Sequence, residues 1–287
     1  MPLQLVRDSA VEPLSLAEAK LHLRVDITDD DVLIQAMISS ARKFAENLLQ
    51  RSLISQSWRY VIDSFPGPTL IGIPWGKTYT LPQHAIILER SRVQNVTAIN
   101  YLDMNGSSQA VPTTQYVVDY SSEPCRITPV FGQIWPIPLP QIGAVNVTFT
   151  SGYVTPVVVS GQNITAPTDW PALPVGQIVR FSNPDAINGV LPSPLMRATD
   201  YYIQSIVSPG IYTVSSTLGG PAITCTTSGT GTTLMGEDIP AGIMSWMKLR
   251  IGSMYQHREE YFTTEKAGKV MPLPFVDRLL DPYKVIF

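Results

Sequence analysis

The chain has 287 residues, of which 44% are apolar and 15% charged, with a formal net charge of −3. That length and apolar content suit one large or two ordinary folded domains and exclude a disordered chain. The mildly acidic balance gives no electrostatic drive toward nucleic acid, which needs clustered Lys and Arg, while 25 prolines and 19 glycines imply many turns around short strands.

The opening MPLQLVRDSAVEPL has no basic stretch leading into an apolar run, so no secretory signal is expected. No apolar segment approaches the roughly 20 residues that cross a bilayer, so no membrane contact is expected. Cys125 and Cys225 lie far apart and read as reduced thiols of a protein made in cytoplasm.

Ser15, Leu16, Ala17 and Glu18 form a capping box: the serine oxygen can accept from a free backbone N–H while Glu18 reaches back. A short helix over 15–24 follows, with Leu16, Ala19 and Leu23 on one face. A longer helix is expected over 29–50. Its apolar stripe is Leu33, Ile34, Met37, Ile38, Ala41, Phe44, Ala45, Leu48 and Leu49, with Lys43, Glu46, Asn47 and Gln50 largely on the opposite, polar face.

Between the two helices, LHLRVDITDDD carries four aspartates. A calcium loop starting at Asp26 needs glycine at its sixth position and glutamate at its twelfth. Asp31 and Met37 stand there, so the pattern fails. Thr28 and the acids after it read instead as a helix cap, with negative charge at the positive end of the helix dipole.

From 55 to 150 the period changes to two. SQSWRYVIDSF, AIILERSR, NVTAINYLD, the turn at Asn105 and Gly106, QYVVDY, CRITPVFG and AVNVTFTSGY read as antiparallel strands. GQIWPIPLPQIG is too rich in proline for a ladder and reads as an extended excursion. Residues 158–237 are dense in Thr, Ser, Gly and Pro. They read as an inserted all-β module with strands at QIVRFS, DYYIQSIVS, GIYTVSS and AITCTTS. A third helix is expected over 240–260, with Pro240 in its first turn and Ile243, Trp246 or Met247, Arg250 or Ile251, and Met254 at helical spacing. The expected class is α+β: a helical body, an antiparallel β domain and the inserted module.

No constellation for chemistry emerges. His22, His84 and His257 are not at metal-ligand spacing. No HExxH, CxxC, phosphate loop or GxSxG elbow occurs. Glu259 and Glu260 beside His257 and Arg258 read as a solvated helix face. No catalytic, metal or cofactor site is expected, and the chain is not expected to be an enzyme. Tyr201, Tyr202 and Tyr212 could line a carbohydrate-type surface on the inserted module, although alternating strands more often use tyrosines for packing.

The run PLSLAEAKLHLRVDITDDDVLIQAMISSARKFAENLLQRSLISQSWRYVIDSFP resembles the opening of tailed-bacteriophage head–tail connector (adaptor) proteins. VTAINYLDMNG, QYVVDY, ITPVFGQIWPIPLPQIGAVNVTFTSGY, MYQHREEY and LLDPYKVIF continue the likeness in order. It covers an adaptor domain of residues 1–157 and 238–287, and the module at 158–237 departs from the family's usual plan.

The resemblance implies a structural part of the virion neck. It implies a dodecameric ring of identical copies that docks on the portal protein, joins it to the next stopper or tail protein, and lets viral DNA pass without specific binding. By the same resemblance, portal contact falls to the last residues: Leu279, Leu280, Tyr283, Val285, Ile286 and Phe287. An apolar ending fits a peptide that enters a partner's groove. The alternative is a binding or decoration protein of the virion surface that works through the β module.

Overall fold

A computed structural model describes residues 3–67, 84–167, 170, 173–185, 187–257, 276 and 278–285. In chain order they form β1 (Leu3–Arg7), α1 (Leu16–Leu23), α2 (Asp31–Leu49), β2 (Gln56–Ile62), β3 (Ile86–Leu88), β4 (Val93–Leu102), β5 (Ser108–Ala110), β6 (Tyr116–Asp119), β7 (Cys125–Pro129) and β8 (Val145–Ser151). They continue with β9 (Val154–Ser160), β10 (Asn163–Thr165), β11 (Ile178–Ser182), β12 (Tyr201–Ser208), β13 (Ile211–Ser215), β14 (Thr233–Gly236) and α3 (Ala241–Gln256).

The strands make a five-stranded sheet in the order β1-β2-β8-β4-β5, a three-stranded sheet β3-β7-β6, and a closed barrel β10-β13-β12-β11-β14-β9. All pairings between these strands are antiparallel. The class is therefore α+β with a separate β module.

Three apolar cores correspond to these parts. The two open sheets close on Phe149, Val147, Ile99, Ile127, Leu88 and their neighbours. The barrel fills with Phe181, Tyr201, Tyr212, Val214 and Met235. The helices close on Ile34, Ala41, Ala45, Leu49, Ile243, Trp246 and Met247. Each fully buried large side chain contributes about 1.5–3 kcal/mol.

Ser15 accepts from the Glu18 N–H at 3.1 Å, as its capping role requires, and the Glu18 carboxylate pairs with Lys248 of α3 at 2.5 Å. The acidic corner departs from expectation. Asp30, not Thr28, precedes α2, and its side chain makes no capping bond. Asp30 accepts from the Tyr255 hydroxyl at 2.5 Å, and Asp31 pairs with Lys20 at 2.6 Å. These two acids join the corner to α3 and α1.

The polar face assigned to α2 also needs correction. Glu46 is only 2% exposed, as is Arg42. Arg42 donates from Nε to Glu12 at 2.8 Å and from Nη1 to Asp8 at 3.1 Å and to Glu46 at 3.3 Å. Glu46 accepts from the Leu53 N–H at 2.9 Å and from Gln56 Nε2 at 3.1 Å. Buried Arg90 donates to the Glu46 carbonyl at 3.0 Å and lies 4.7 Å over the Trp58 ring. Burial pushes the Glu46 carboxyl up, against the pull of Arg42. Conversely, Leu33, Phe44 and Leu48, expected in the core, are 37%, 44% and 40% exposed.

The barrel begins earlier than 158, because β9 already pairs with β14 from Val154 onward. The chain leaves β8 and returns to α3 through two tight crossings. A Cβ on Gly152 would lie 2.6 Å from the Ser55 nitrogen, and one on Gly236 would lie 2.3 Å from the Tyr153 carbonyl oxygen. Arg92 braces the crossings, pairing with Glu237 and stacking 4.8 Å over Tyr153. β1, β9, β10 and β14 were not anticipated. AITCTTS forms no regular strand; it crosses the barrel through single bonds from the Ile223 N–H to Val214 and from the Cys225 N–H to Gly161.

Removing Glu46 leaves two buried guanidinium groups short of their counter-ion. Glu46→Ala is expected to lower stability by about 3–5 kcal/mol in denaturant unfolding, and a loss under about 1 kcal/mol counts against this account. Gly152→Ala forces a methyl into backbone. It is expected to cost about 1–3 kcal/mol, whereas the same change at open Gly161 should cost less.

Candidate assembly surface

The residues named for partner contact fall into two groups. Leu280 is fully buried in the helical core, and Leu279 and Tyr283 pack against that core. Gly242 makes room for them: a Cβ there would meet the Tyr283 ring at 3.1 Å and the Leu279 carbonyl at 3.3 Å. Arg51, just past α2, donates from Nε to the Tyr283 carbonyl at 2.5 Å and from Nη1 to Glu123 at 2.9 Å. The Val285 N–H reaches the Leu49 carbonyl at 3.4 Å.

Leu279, Leu280 and Tyr283 therefore seat the end of the chain on its own helices. In this conformation Leu280 has no surface to offer a partner. Val285 is half-buried at the rim of the seat. Ile286 and Phe287 lie outside the described residues, as do Arg258, Glu259 and Glu260.

Two further apolar surfaces stand open. One is the outer face of α2, where Val32, Leu33, Ala36, Ser40, Phe44 and Leu48 are exposed in a helical line. Phe44 is nonetheless ordered, stacked at 5.7 Å on Trp246 with Arg250 5.0 Å above its ring.

The other is the proline-rich excursion after β7. Phe131, Ile134, Ile137 and Ile142 are 103%, 81%, 77% and 90% exposed. Its base is held firmly. Trp135 is buried, stacks 4.9 Å from Phe65, and donates to the His84 carbonyl at 2.7 Å. The Leu139 N–H bonds to Leu102 at 2.8 Å, and the Gly143 N–H bonds to Asp63 at 2.8 Å. Reading the sequence found the excursion but not its display of apolar side chains. The signal was there: no charged residue occurs from 127 to 168.

The barrel offers less. Tyr201 and Tyr212 are buried inside it, and only Tyr202 is partly open, so the three do not make an aromatic binding face. A cleft of about 520 Å³ lies where barrel and sheets meet, lined among others by Arg92, Tyr120, Glu123, Tyr153 and Trp170. The thiols of Cys125 and Cys225 are both buried and free, and burial pushes Cys125 up to about 12. Among the described residues, no group of three or more His, Cys, Asp or Glu is placed to hold a metal. Nor is any described helix long and apolar enough to cross a membrane.

A family model described as Phage gp6-like head-tail connector protein matches residues 13–104. No curated protein matches the chain. Among solved structures, a chain titled as the neck of an empty GTA particle computed with C6 symmetry aligns with a TM-score of 0.51 at 17% identity, covering 100% of this chain and 97% of that one. A chain from the virion of a native gene transfer agent (GTA) particle aligns with a TM-score of 0.52 at 16% identity and the same coverage. Both alignments run through the barrel, which the family model does not reach, so the two share the overall fold. Residues 13–104, which hold the capping box, the acidic corner and the buried Arg42–Glu46 pair, are thus similar to the phage gp6-like head-tail connector family.

Proposed function

We propose that the chain is a structural subunit of a virion neck. In this reading identical copies close into a ring, twelve in number as the resemblance implies. The ring docks on the portal protein, receives the next stopper or tail protein, and surrounds a passage for DNA. The observation that carries the reading is the connector match over 13–104, joined to a fold shared with chains of a GTA neck and a GTA virion.

The surface chemistry supports it. A ring built by rotation joins two different faces of one subunit. The outer line of α2 and the apolar loop after β7 are two such faces. The strongly buried charges, Arg42, Glu46 and Arg90, serve each other, which is an architectural use and not a reactive one. A net charge of −3 gives passing DNA little to adhere to.

Portal contact is assigned to the end of the chain from Val285 onward, with Leu279, Leu280 and Tyr283 as its mount. An end held by a fixed seat loses less freedom on docking than a free tail. Cutting the chain before Tyr283 would remove Arg51's acceptor and core packing together, so the informative truncation is shorter.

Purified protein mixed with its portal should migrate as a large ring-containing complex by light scattering and negative-stain imaging. A chain that stays monomeric beside an intact portal ring would overturn the reading. Removing only Ile286 and Phe287 should leave the melting temperature unchanged and weaken portal binding by roughly tenfold or more. Undiminished binding would take the contact away from these residues.

A further inference from the structure

We infer that the proline-rich loop after β7, residues 130–143, is the knob by which one copy of this chain grips the next, and that the outer line of α2 is the surface it grips. The inference rests on the ring reading above and assigns its subunit contact.

Four large apolar side chains in one short loop, all more than three-quarters exposed, amount to on the order of 500–700 Å² of open apolar surface. The largest patch on a typical monomer is about that size, and a stable interface takes about 800 Å² from each partner. The loop's polar side chains are the two amides Gln133 and Gln141. It carries no charge to desolvate, and Pro136, Pro138 and Pro140 remove three backbone N–H donors that would otherwise need partners. The anchors at Trp135, Leu139 and Gly143 fix its base, so docking orders little that is not already ordered.

The receiving face has the complementary form. Along α2, small Ala36 and Ser40 lie between large Leu33 and the pair Phe44 and Leu48. Phe44 is fixed from behind by Trp246. The Arg250 guanidinium lies 5.0 Å above the Phe44 ring and is itself exposed.

The two surfaces are anchored at opposite ends of β2. α2 packs at the Gln56 end of β2 through Glu46, whereas the loop is tied to Asp63, just beyond the other end of that strand. At about 3.3 Å per residue the separation is on the order of 20 Å. Two different faces of one subunit, a knob and a receiving face, make a heterologous contact, the kind that repeats around an axis.

The test compares assembly of the full chain with that of two surface variants. Ile134→Asp combined with Ile137→Asp should raise the concentration for half-assembly by roughly tenfold or more while leaving the melting temperature unchanged. In a separate chain carrying Ile137→Cys and Ser40→Cys, a bis-maleimide should produce a ladder of covalent multimers, which neither single variant gives. The native thiols, Cys125 and Cys225, are buried and do not compete. If the unaltered chain forms rings and the double Asp variant forms them equally well, or the paired cysteines give no ladder within those rings, the contact is wrong and the ring reading stands. If the unaltered chain never assembles, with or without portal, the ring reading fails and takes this contact with it.

Discussion

The buried charge cluster around Glu46 governs how the helices meet the sheets. Ion pairs out of water are not stabilising by default, since desolvation costs several kcal/mol per ion and is offset only when each lone pair and proton finds a partner. Here the partners come from four separate stretches of chain. Asp8 and Glu12 arrive from the segment after β1, Arg42 and Glu46 from α2, Leu53 and Gln56 from the entry to β2, and Arg90 from the turn before β4. A shift of α2 along its axis by one turn, about 5.4 Å, would break all of these bonds together. The cluster thereby gives the helical layer one register on the sheet, which an apolar contact of equal area does not do.

The same cluster marks where reading the sequence failed. Periodicity located α1, α2 and α3 among the described residues to within a few residues, because each carries an apolar stripe long enough to average over exceptions. It could not sort the stripe's own members. Glu46 sits at a position that looks solvent-facing by charge, and Phe44 and Leu48 look buried by hydrophobicity; each is the reverse. The deciding facts are distant in sequence: an arginine at 90 that draws a glutamate inward, and a helix face wider than this chain's own core can cover.

The strands were legible where alternation ran long. β2, β4, β8 and β12 show it, whereas β10 with three residues and β14 with four carry too little pattern to detect. β1 was missed for a different reason. It is exposed over most of its length, so no buried face imposes a period on it. AITCTTS erred in the opposite direction, since its β-branched composition matches a strand while its three backbone bonds go to different neighbours. The residues expected to contact a partner divide along the same line. Apolar character at Leu279 and Leu280 was readable, but whether it served this chain's core or another's depended on Gly242 and Arg51, far away in sequence.

A common device runs through the junction, the tail and the loop: a segment that must reach outward is first fastened close to its root. The barrel leaves the sheets through Gly152 and Gly236, where backbone lies against backbone and Arg92 closes the gap. The tail departs from a seat made by Gly242 and Arg51. The apolar loop departs from Trp135, stacked on Phe65. In each case the fastening uses groups with few rotatable bonds or fixed donor geometry, namely glycine, the guanidinium fork and an indole. For a subunit proposed to meet many copies of itself and a portal at once, this matters energetically. Each contact in a closed assembly recurs with every copy, so flexibility left at a root would be lost again at every interface. In the proposed assembly, rigid roots confine that ordering cost to the folding of the single chain, and the apolar loop keeps most of its burial energy for the contact.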